Sequence, residues 1–379
     1  MKYYIIAGEA SGDLHGSNLI KGIRAADPEA QIRAWGGDRM QENGAELVKH
    51  YKETAVMGYM SVIKNLGKIR NNLKHCKKDI LQYNPDVVIF IDYPGFNLRI
   101  AKFAKKAGFR TFYYIAPKIW AWKTFRIKSI KKYVDRLFSI LPFEVDFYKN
   151  YDYPIEYIGN PLLDAIEAQL NKGELLEDFL KRHHLPHKPI IGLLPGSRRQ
   201  EIRNLLPMML RLKSFYPQYQ FLISAAPGIS EDFYEQFMDN QDDNTLIRND
   251  TYQMVKHADA CIVASGTAAL ETALIGTPQV AVYKVGGGIL AHAVGRLVIK
   301  VKWATLVNLI MQKEIIKELL QKDYTFSKLK KELNAILPNG KKRKEQLENY
   351  QELYRKMGNT GASARAAESM VKRLKESQR

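Results

Sequence analysis

Cysteine is scarce: Cys76 and Cys261 lie far apart, and neither belongs to a C-x-x-C or metal-ligand spacing. A disulfide framework is thereby excluded, and a reducing compartment is the simplest reading. Long apolar runs are missing too, since no stretch approaches the ~18 uncharged residues of a membrane-crossing helix. The opening run, Met1-Lys2-Tyr3-Tyr4-Ile5-Ile6-Ala7-Gly8, is too short for a signal peptide. The expectation is a cytoplasmic protein, soluble or peripheral on a membrane. No Asp-x-Asp triplet occurs, and the histidines show no ligand spacing. His183-His184, in a charged stretch, reads as solvent-exposed, so neither metal nor cofactor is expected. Negative charge is the last shortage: 40 Asp and Glu face 58 Lys and Arg, a formal net charge of +18. That balance calls for anionic partners, whether nucleic acid, anionic lipid or a phosphorylated substrate. No recognised nucleic-acid module accompanies the charge, so nucleic acid is not an expected partner.

What is present is an alternation of short apolar runs with longer amphipathic segments. Strands are expected at Tyr3–Ala7, Ile32–Trp35, Val87–Ile91, Thr111–Ile115 and Arg136–Ile140, then at Ile190–Leu194, Gln220–Ser224, Ala260–Ala264 and Gln279–Tyr283. Most are apolar without alternation, as parallel strands covered on both faces should be. The class is therefore α/β, with two doubly wound Rossmann-like domains. The chain of 379 residues suits two domains. They are expected at 1–170 and 186–344, joined by a charged linker around Asn171–Pro189. The polar tail 345–379 reads as helical, broken by Gly358 and Gly361, and could pack back on the first domain.

Four strand ends carry residues suited to chemistry. The first leads into Gly8-Glu9-Ala10-Ser11-Gly12-Asp13-Leu14-His15-Gly16, where glycines allow close approach and a helix N-terminus offers free N–H groups. The spacing is not G-x-G-x-x-G, and a tight turn with a Ser or Asp cap explains it equally well. The strand Val87–Ile91 delivers Asp92 before Tyr93-Pro94-Gly95-Phe96-Asn97. A carboxylate there can take a proton from a hydroxyl, or it can simply cap the turn. Next, Pro195-Gly196-Ser197-Arg198 opens the second half, with a planar guanidinium suited to phosphate oxygens. It is not a Walker A loop. Last, Ser265-Gly266-Thr267-Ala268-Ala269-Leu270-Glu271 sets small hydroxyls at a helix start and Glu271 one turn in, where it could meet ribose hydroxyls or the helix dipole. Two phosphate-type loops in one half point to a nucleoside diphosphate.

These motifs, in this order, resemble the lipid-A-disaccharide synthases. The resemblance runs from Tyr3 to about Leu320. It also takes in Ala55-Val56-Met57-Gly58, Trp120-Ala121-Trp122 and Leu141-Pro142-Phe143-Glu144. It implies the glycosyltransferase-B fold, with the two domains facing a cleft, and an inverting transfer from UDP-2,3-diacylglucosamine to 2,3-diacylglucosamine 1-phosphate, giving a β-1,6 disaccharide and UDP. It further implies Asp92 as general base and Arg198 as the residue steadying the diphosphate. The candidate UDP-sugar set is Gly8, Glu9, Ser11, Gly12, Gly196, Ser197, Ser265, Gly266, Thr267, Glu271 and Asn308. Three positions depart from the family pattern: Gly95 stands for a second Asp, Asn160 for His, and Val307 for Pro in Thr305-Leu306-Val307-Asn308. Rivals on the same fold are a lipid-linked N-acetylglucosaminyltransferase and a UDP-sugar epimerase.

The segment Val56–Lys78 mixes apolar residues with six basic ones, Lys64, Lys68, Arg70, Lys74, Lys77 and Lys78. It can lie in a bilayer interface or bury its apolar face in the core. Val56, Met57, Met60 and Ile63 are the candidate acyl contacts, and an anionic membrane surface, the inner face of the inner membrane, is the expected partner. Ile289–Val301 is a weaker candidate, better suited to core packing. Oligomer formation is left open.

Overall fold

The computed structural model describes residues 1–54, 66–122, 124–170, 173–238, 246–284 and 302–376. The candidate acyl contacts Val56, Met57, Met60 and Ile63, and all of Ile289–Val301, lie outside them. The chain divides into two compact units, Met1–Pro161 with Asn359–Arg379, and Leu162–Gly358.

The first unit is built on a seven-stranded parallel sheet in the order β3-β2-β1-β4-β5-β6-β7. Its strands are β1 (Lys2–Ala7), β2 (Gln31–Gly36), β3 (Glu46–His50), β4 (Val87–Ile91), β5 (Arg110–Tyr114), β6 (Arg136–Ser139) and β7 (Glu156–Tyr157). Side chains along a strand alternate between faces, and both faces here are apolar. Tyr3, Ile5, Val87 and Ile89 enter one core, while Tyr4, Ile6, Val88 and Phe90 enter the other. Helix α1 (Ala10–Ala26) covers the first face beside α2 (Asp38–Glu42). Helices α3 (Leu66–Tyr83), α4 (Pro94–Lys106), α5 (Ile127–Tyr133) and α6 (Phe143–Lys149) follow on the chain, and residues of all four enter the second core.

The second unit has a six-stranded parallel sheet in the order β10-β9-β8-β11-β12-β13. These are β8 (Ile190–Leu194), β9 (Gln220–Ala225), β10 (Leu246–Arg248), β11 (Ala260–Ala264), β12 (Gln279–Tyr283) and β13 (Lys317–Leu320). Its helices include α7 (Leu176–Arg182), α8 (Arg199–Leu210), α9 (Thr251–His257), α10 (Thr267–Ile275), α11 (Leu306–Met311), α12 (Phe326–Ile336) and α13 (Arg343–Met357). The chain then returns to the first unit as α14 (Ala362–Glu376), whose Ala362, Ala366, Ala367 and Met370 pack with Leu19, Ile20 and Ile23 of α1.

The expected strands are present, and β3, β7, β10 and β13 are additional. Those four are the edges of the two sheets. An edge strand has one neighbour and carries polar or charged residues that discourage further pairing. Glu46-Leu47-Val48-Lys49-His50 and Lys317-Glu318-Leu319-Leu320 therefore show no uninterrupted apolar run.

Both strand orders reverse direction once, between β1 and β4 and between β8 and β11. Ligands in open α/β sheets collect outside the carboxyl ends of strands at such reversals. In the first unit Ala7 pairs with Ile91, so Gly8 and Asp92 leave adjacent strands side by side. In the second, Val263 pairs with Leu194, so the Pro195 and Ser265 loops do the same.

Candidate active site

In the first unit the loops after β1 and β4 are in contact. A methyl group on Gly8 would stand 2.4 Å from the Tyr93 ring, so only glycine lets the loops approach this closely. Asp92 and Tyr93 both adopt left-handed backbone, with φ of 42° and 48°. Non-glycine residues are sparse in that region and need surrounding support. Asn97 supplies it, donating its side-chain amide to the Asp92 carbonyl at 2.8 Å, and the Tyr113 hydroxyl donates to the same oxygen. The backbone is thus pinned while the carboxylate opens to solvent on one side. Protein packed round its remaining sides raises the Asp92 pKa by desolvation, Lys118 opposes this, and Glu9 adds to it.

Glu9 occupies the cap position of α1 without bonding to it, and Glu9 and Ser11 are exposed. Gly12 is buried with Ala7 beside it. Asp13 is committed elsewhere. Its buried carboxylate accepts from the N–H groups of Gly37 at 2.7 Å and of Arg39 and Met40 at 3.2 Å. It therefore caps α2, whereas α1, the helix this loop opens, has no side-chain cap, so the Ser or Asp cap expected there is not formed.

A second carboxyl lies behind this site. Glu144, in the first turn of α6, is 1% exposed. It accepts from the Trp120 indole N–H at 2.8 Å and contacts the Ser139 hydroxyl. Burial pushes its pKa up to about 7, against the pull of Ser139, Trp120 and Lys118, and the charge of Asp92 adds to the rise. Asn160, where the family has His, is buried and donates to the Ile140 carbonyl at 2.9 Å.

In the second unit Gly196 has φ +112°, and a Cβ there would lie 2.5 Å from the Glu201 carboxylate. That carboxylate reaches back to the Ser197 N–H at 3.0 Å, tightening the turn. Arg198 takes the cap position of α8 and caps nothing. Its side chain is 81% exposed, with Glu201 at 3.5 Å as its ion-pair neighbour. After β11, Gly266 is the cap of α10, again without a side-chain bond. The Ser265 hydroxyl donates to the Ala304 carbonyl at 3.3 Å, and Thr267 is exposed at the first helical position. The N-termini of α8 and α10 are thus free of side-chain caps on adjacent strands, and such N-termini attract anions. Glu271 is half-buried and accepts from Tyr252 at 3.1 Å, and burial raises its pKa.

Asn308 does not present itself to a ligand. Its side chain is fully buried. It donates to the Ile316 carbonyl and to Glu318, both at 2.9 Å, and accepts from the N–H groups of Ile315 and Ile316 at 2.8 and 3.1 Å. Its amide is saturated, so it anchors the loop. Glu318, which no motif singled out, completes that anchor, and its place on an edge strand left no signal in the sequence. His183 also differs from expectation: it is half-buried and pairs with Asp250 at 2.8 Å. Among the described residues no group of three or more His, Cys, Asp or Glu could hold a metal ion.

Residues 3–373 match the family model described as lipid-A-disaccharide synthetase. The chain is similar to the lipid-A-disaccharide synthase of Syntrophus aciditrophicus, 38% identical over 98% of both chains. It is similar to that of Trichlorobacter lovleyi at 35%, over 98% of this chain and 97% of the other. Among solved structures, the kitacinnamycin glycosyltransferase superposes with TM-score 0.66 at 12% identity, covering 98% of each chain. A UDP-GlcNAc 2-epimerase from Methanocaldococcus jannaschii does so with 0.62 at 16%, covering 99% of this chain and all of the other. At such identities the likeness shows only the shared two-domain glycosyltransferase-B architecture. The family match and the curated relatives go further: the chain belongs to the lipid-A-disaccharide synthase family of glycosyltransferases.

Proposed function

We propose that the protein transfers a 2,3-diacylglucosamine unit from its UDP derivative to 2,3-diacylglucosamine 1-phosphate. The acceptor 6-hydroxyl oxygen bonds to the anomeric carbon from the face opposite UDP, its proton passes to Asp92, and the anomeric carbon–phosphate oxygen bond breaks. The products are the β-1,6 disaccharide 1-phosphate, with inverted configuration, and UDP. The observation that carries this reading is the pair of uncapped helix N-termini on adjacent strands with an exposed Arg198 at one of them. Charge developing on the departing diphosphate would meet donors already oriented, commonly the largest contribution to rate. Ser197, Ser265, Gly266 and Thr267 bind the diphosphate, and Glu271 meets the ribose. Asp92, on pinned backbone with its pKa raised by burial, fits general-base work. Gly8, Glu9, Ser11 and Gly12 line the same strand ends as Asp92.

The partner surface in this reading is the anionic inner face of the inner membrane. Helix α4 packs against both α3 and α5. Their exposed residues include Lys68, Lys74 and Lys78, Lys102 and Lys106, and Lys128 and Lys132. Asp79 is the sole acidic residue in those three helices, and it is buried against Arg33 and Tyr4. Each base near an anionic leaflet adds about 1 kcal/mol. Phe125, 72% exposed, adjoins α5. Among the described residues no helix is long and apolar enough to cross a membrane.

The deciding measurement is UDP release from UDP-2,3-diacylglucosamine with and without the 1-phosphate acceptor, in detergent with EDTA. Acceptor-dependent release with formation of the disaccharide supports the reading. Release without acceptor dependence, or epimerised donor, would overturn the substrate assignment.

A further inference from the structure

The strand order β4-β5-β6 sets three strand ends in a row. Asp92 follows β4, Trp120 lies in the helical turn Ile119–Trp122 after β5, and Ser139 ends β6. Glu144 binds the last two together. The Trp120 ring also packs edge-on against Phe143 at 5.0 Å. The groups facing Glu144 are Lys118 and Trp120 from the loop after β5, Ser139 from β6, Asp92 from β4, and Tyr148 from its own helix.

Hydrogen-bond counting favours a proton on this carboxyl. The Ser139 hydroxyl accepts from the Leu141 N–H at 3.0 Å and lies 3.0 Å from the Leu141 carbonyl. It has one proton and two acceptors within reach, that carbonyl and Glu144. If Glu144 is the neutral acid, its O–H donates to Ser139, and Ser139 donates onward to Leu141. Every lone pair and proton of the hydroxyl is then used. If Glu144 is ionised, the hydroxyl must turn to it, and a charge sits in a site that is 1% exposed. Isolated buried charge is costly, and no cation bonds to this one, since Lys118 is exposed and acts at a distance.

We propose that Glu144 is a positioning residue for the acceptor half of the site: held as a neutral acid between Trp120 and Ser139, it fixes the loops beside Asp92 and leaves Asp92 as the carboxylate that takes the proton. Two carboxyls in unlike surroundings, one opening to solvent and one fully buried, can divide such roles. The inference rests on the proposed role of Asp92. As pH rises, ionisation of Glu144 turns Ser139 and places a second negative charge beside the base and its anionic acceptor, so kcat/KM declines above about pH 7.

The test compares wild type with Glu144→Gln, which keeps the neutral shape at every pH, and with Trp120→Phe, which removes a donor favouring the ionised form. Acceptor-dependent kcat/KM and tryptophan emission are both followed across the neutral range. Expected are a decline and an emission change with a common midpoint in wild type, both absent in Glu144→Gln; in Trp120→Phe, which lacks the reporting indole, the decline in kcat/KM moves to higher pH. A decline and emission change that persist in Glu144→Gln, or a wild type flat in emission, overturns the proposal. Should Glu144→Gln fail to fold, the direction of the Trp120→Phe shift decides, because a merely structural contact would leave the midpoint in place. A wild type with no turnover would sink the functional reading instead, and emission alone would then decide the state of Glu144.

Discussion

Glu318 offers the sharpest perturbation in the second unit. Its carboxylate accepts from the N–H groups of Ala304 at 2.8 Å and Thr305 at 3.0 Å, from the Thr305 hydroxyl at 2.7 Å and from Asn308 at 2.9 Å. Thr305 and Asn308 are fully buried, whereas Ala304 is exposed and can bond to water. Glu318→Ala strands the Thr305 N–H and one Asn308 proton, and frees the Thr305 hydroxyl to turn. A buried donor left without an acceptor costs about 1–3 kcal/mol, so the loss should be about 2–4 kcal/mol after partial relief by water. For a unit of this size, Leu162–Gly358, that corresponds to a drop of roughly 5–15 °C in its thermal transition. Calorimetry with and without UDP is the assay. Because the loop carries the Ala304 carbonyl that receives Ser265, UDP affinity should fall by roughly tenfold, about 1.4 kcal/mol. Glu318→Gln should land between the two, since its amide nitrogen faces donors it cannot satisfy. A melting point within a degree or so of wild type, together with unchanged UDP affinity, would refute the reasoning that this carboxylate holds the loop.

Other expectations concern the chemistry directly. Arg198→Ala should lower kcat by about 10²–10³ with little change in melting temperature, because its side chain is 81% exposed. Arg198→Lys should recover only part, having charge without the planar fork. Asp92→Asn should cost on the order of 10²–10⁴ in kcat while UDP affinity, measured calorimetrically, stays put. The base must be ionised to work, so kcat/KM should fall as pH drops through the raised pKa of Asp92. Lys118 lowers that pKa, and Lys118→Met should therefore move the acid limb to higher pH. Gly8→Ala forces the Tyr93 ring away from a Cβ 2.4 Å distant. It should destabilise the protein by about 1–3 kcal/mol in a denaturant titration and reduce kcat more than it raises the acceptor KM.

Legibility in the sequence followed burial. The central strands of both sheets, such as Val87–Ile91 and Ala260–Ala264, are fully buried, and their uninterrupted apolar runs reveal them. Edge strands β3, β7, β10 and β13 have no such runs, because one side of each faces no neighbour. The loops at the two chain reversals were readable because glycine, serine and a charged residue after an apolar run are local features. What a polar side chain does once there is not local. Asp13 looks like a local cap and Asn308 like a ligand residue in the sequence, yet one caps a distant helix and the other is consumed by Glu318 and the backbone around Ile316.

By itself, then, the sequence determined the α/β class, the strand ends that carry chemistry, the excess of positive charge and the family. Each follows from residues close together in the chain, where period, turn chemistry and composition act. Only the tertiary structure decided that Glu144 stands behind Asp92, that Glu318 latches the Thr305 loop, and that α14 returns to cover α1. Those pairings join residues far apart in sequence. They depend on strand order and on which buried donor finds which acceptor, and no local pattern encodes that.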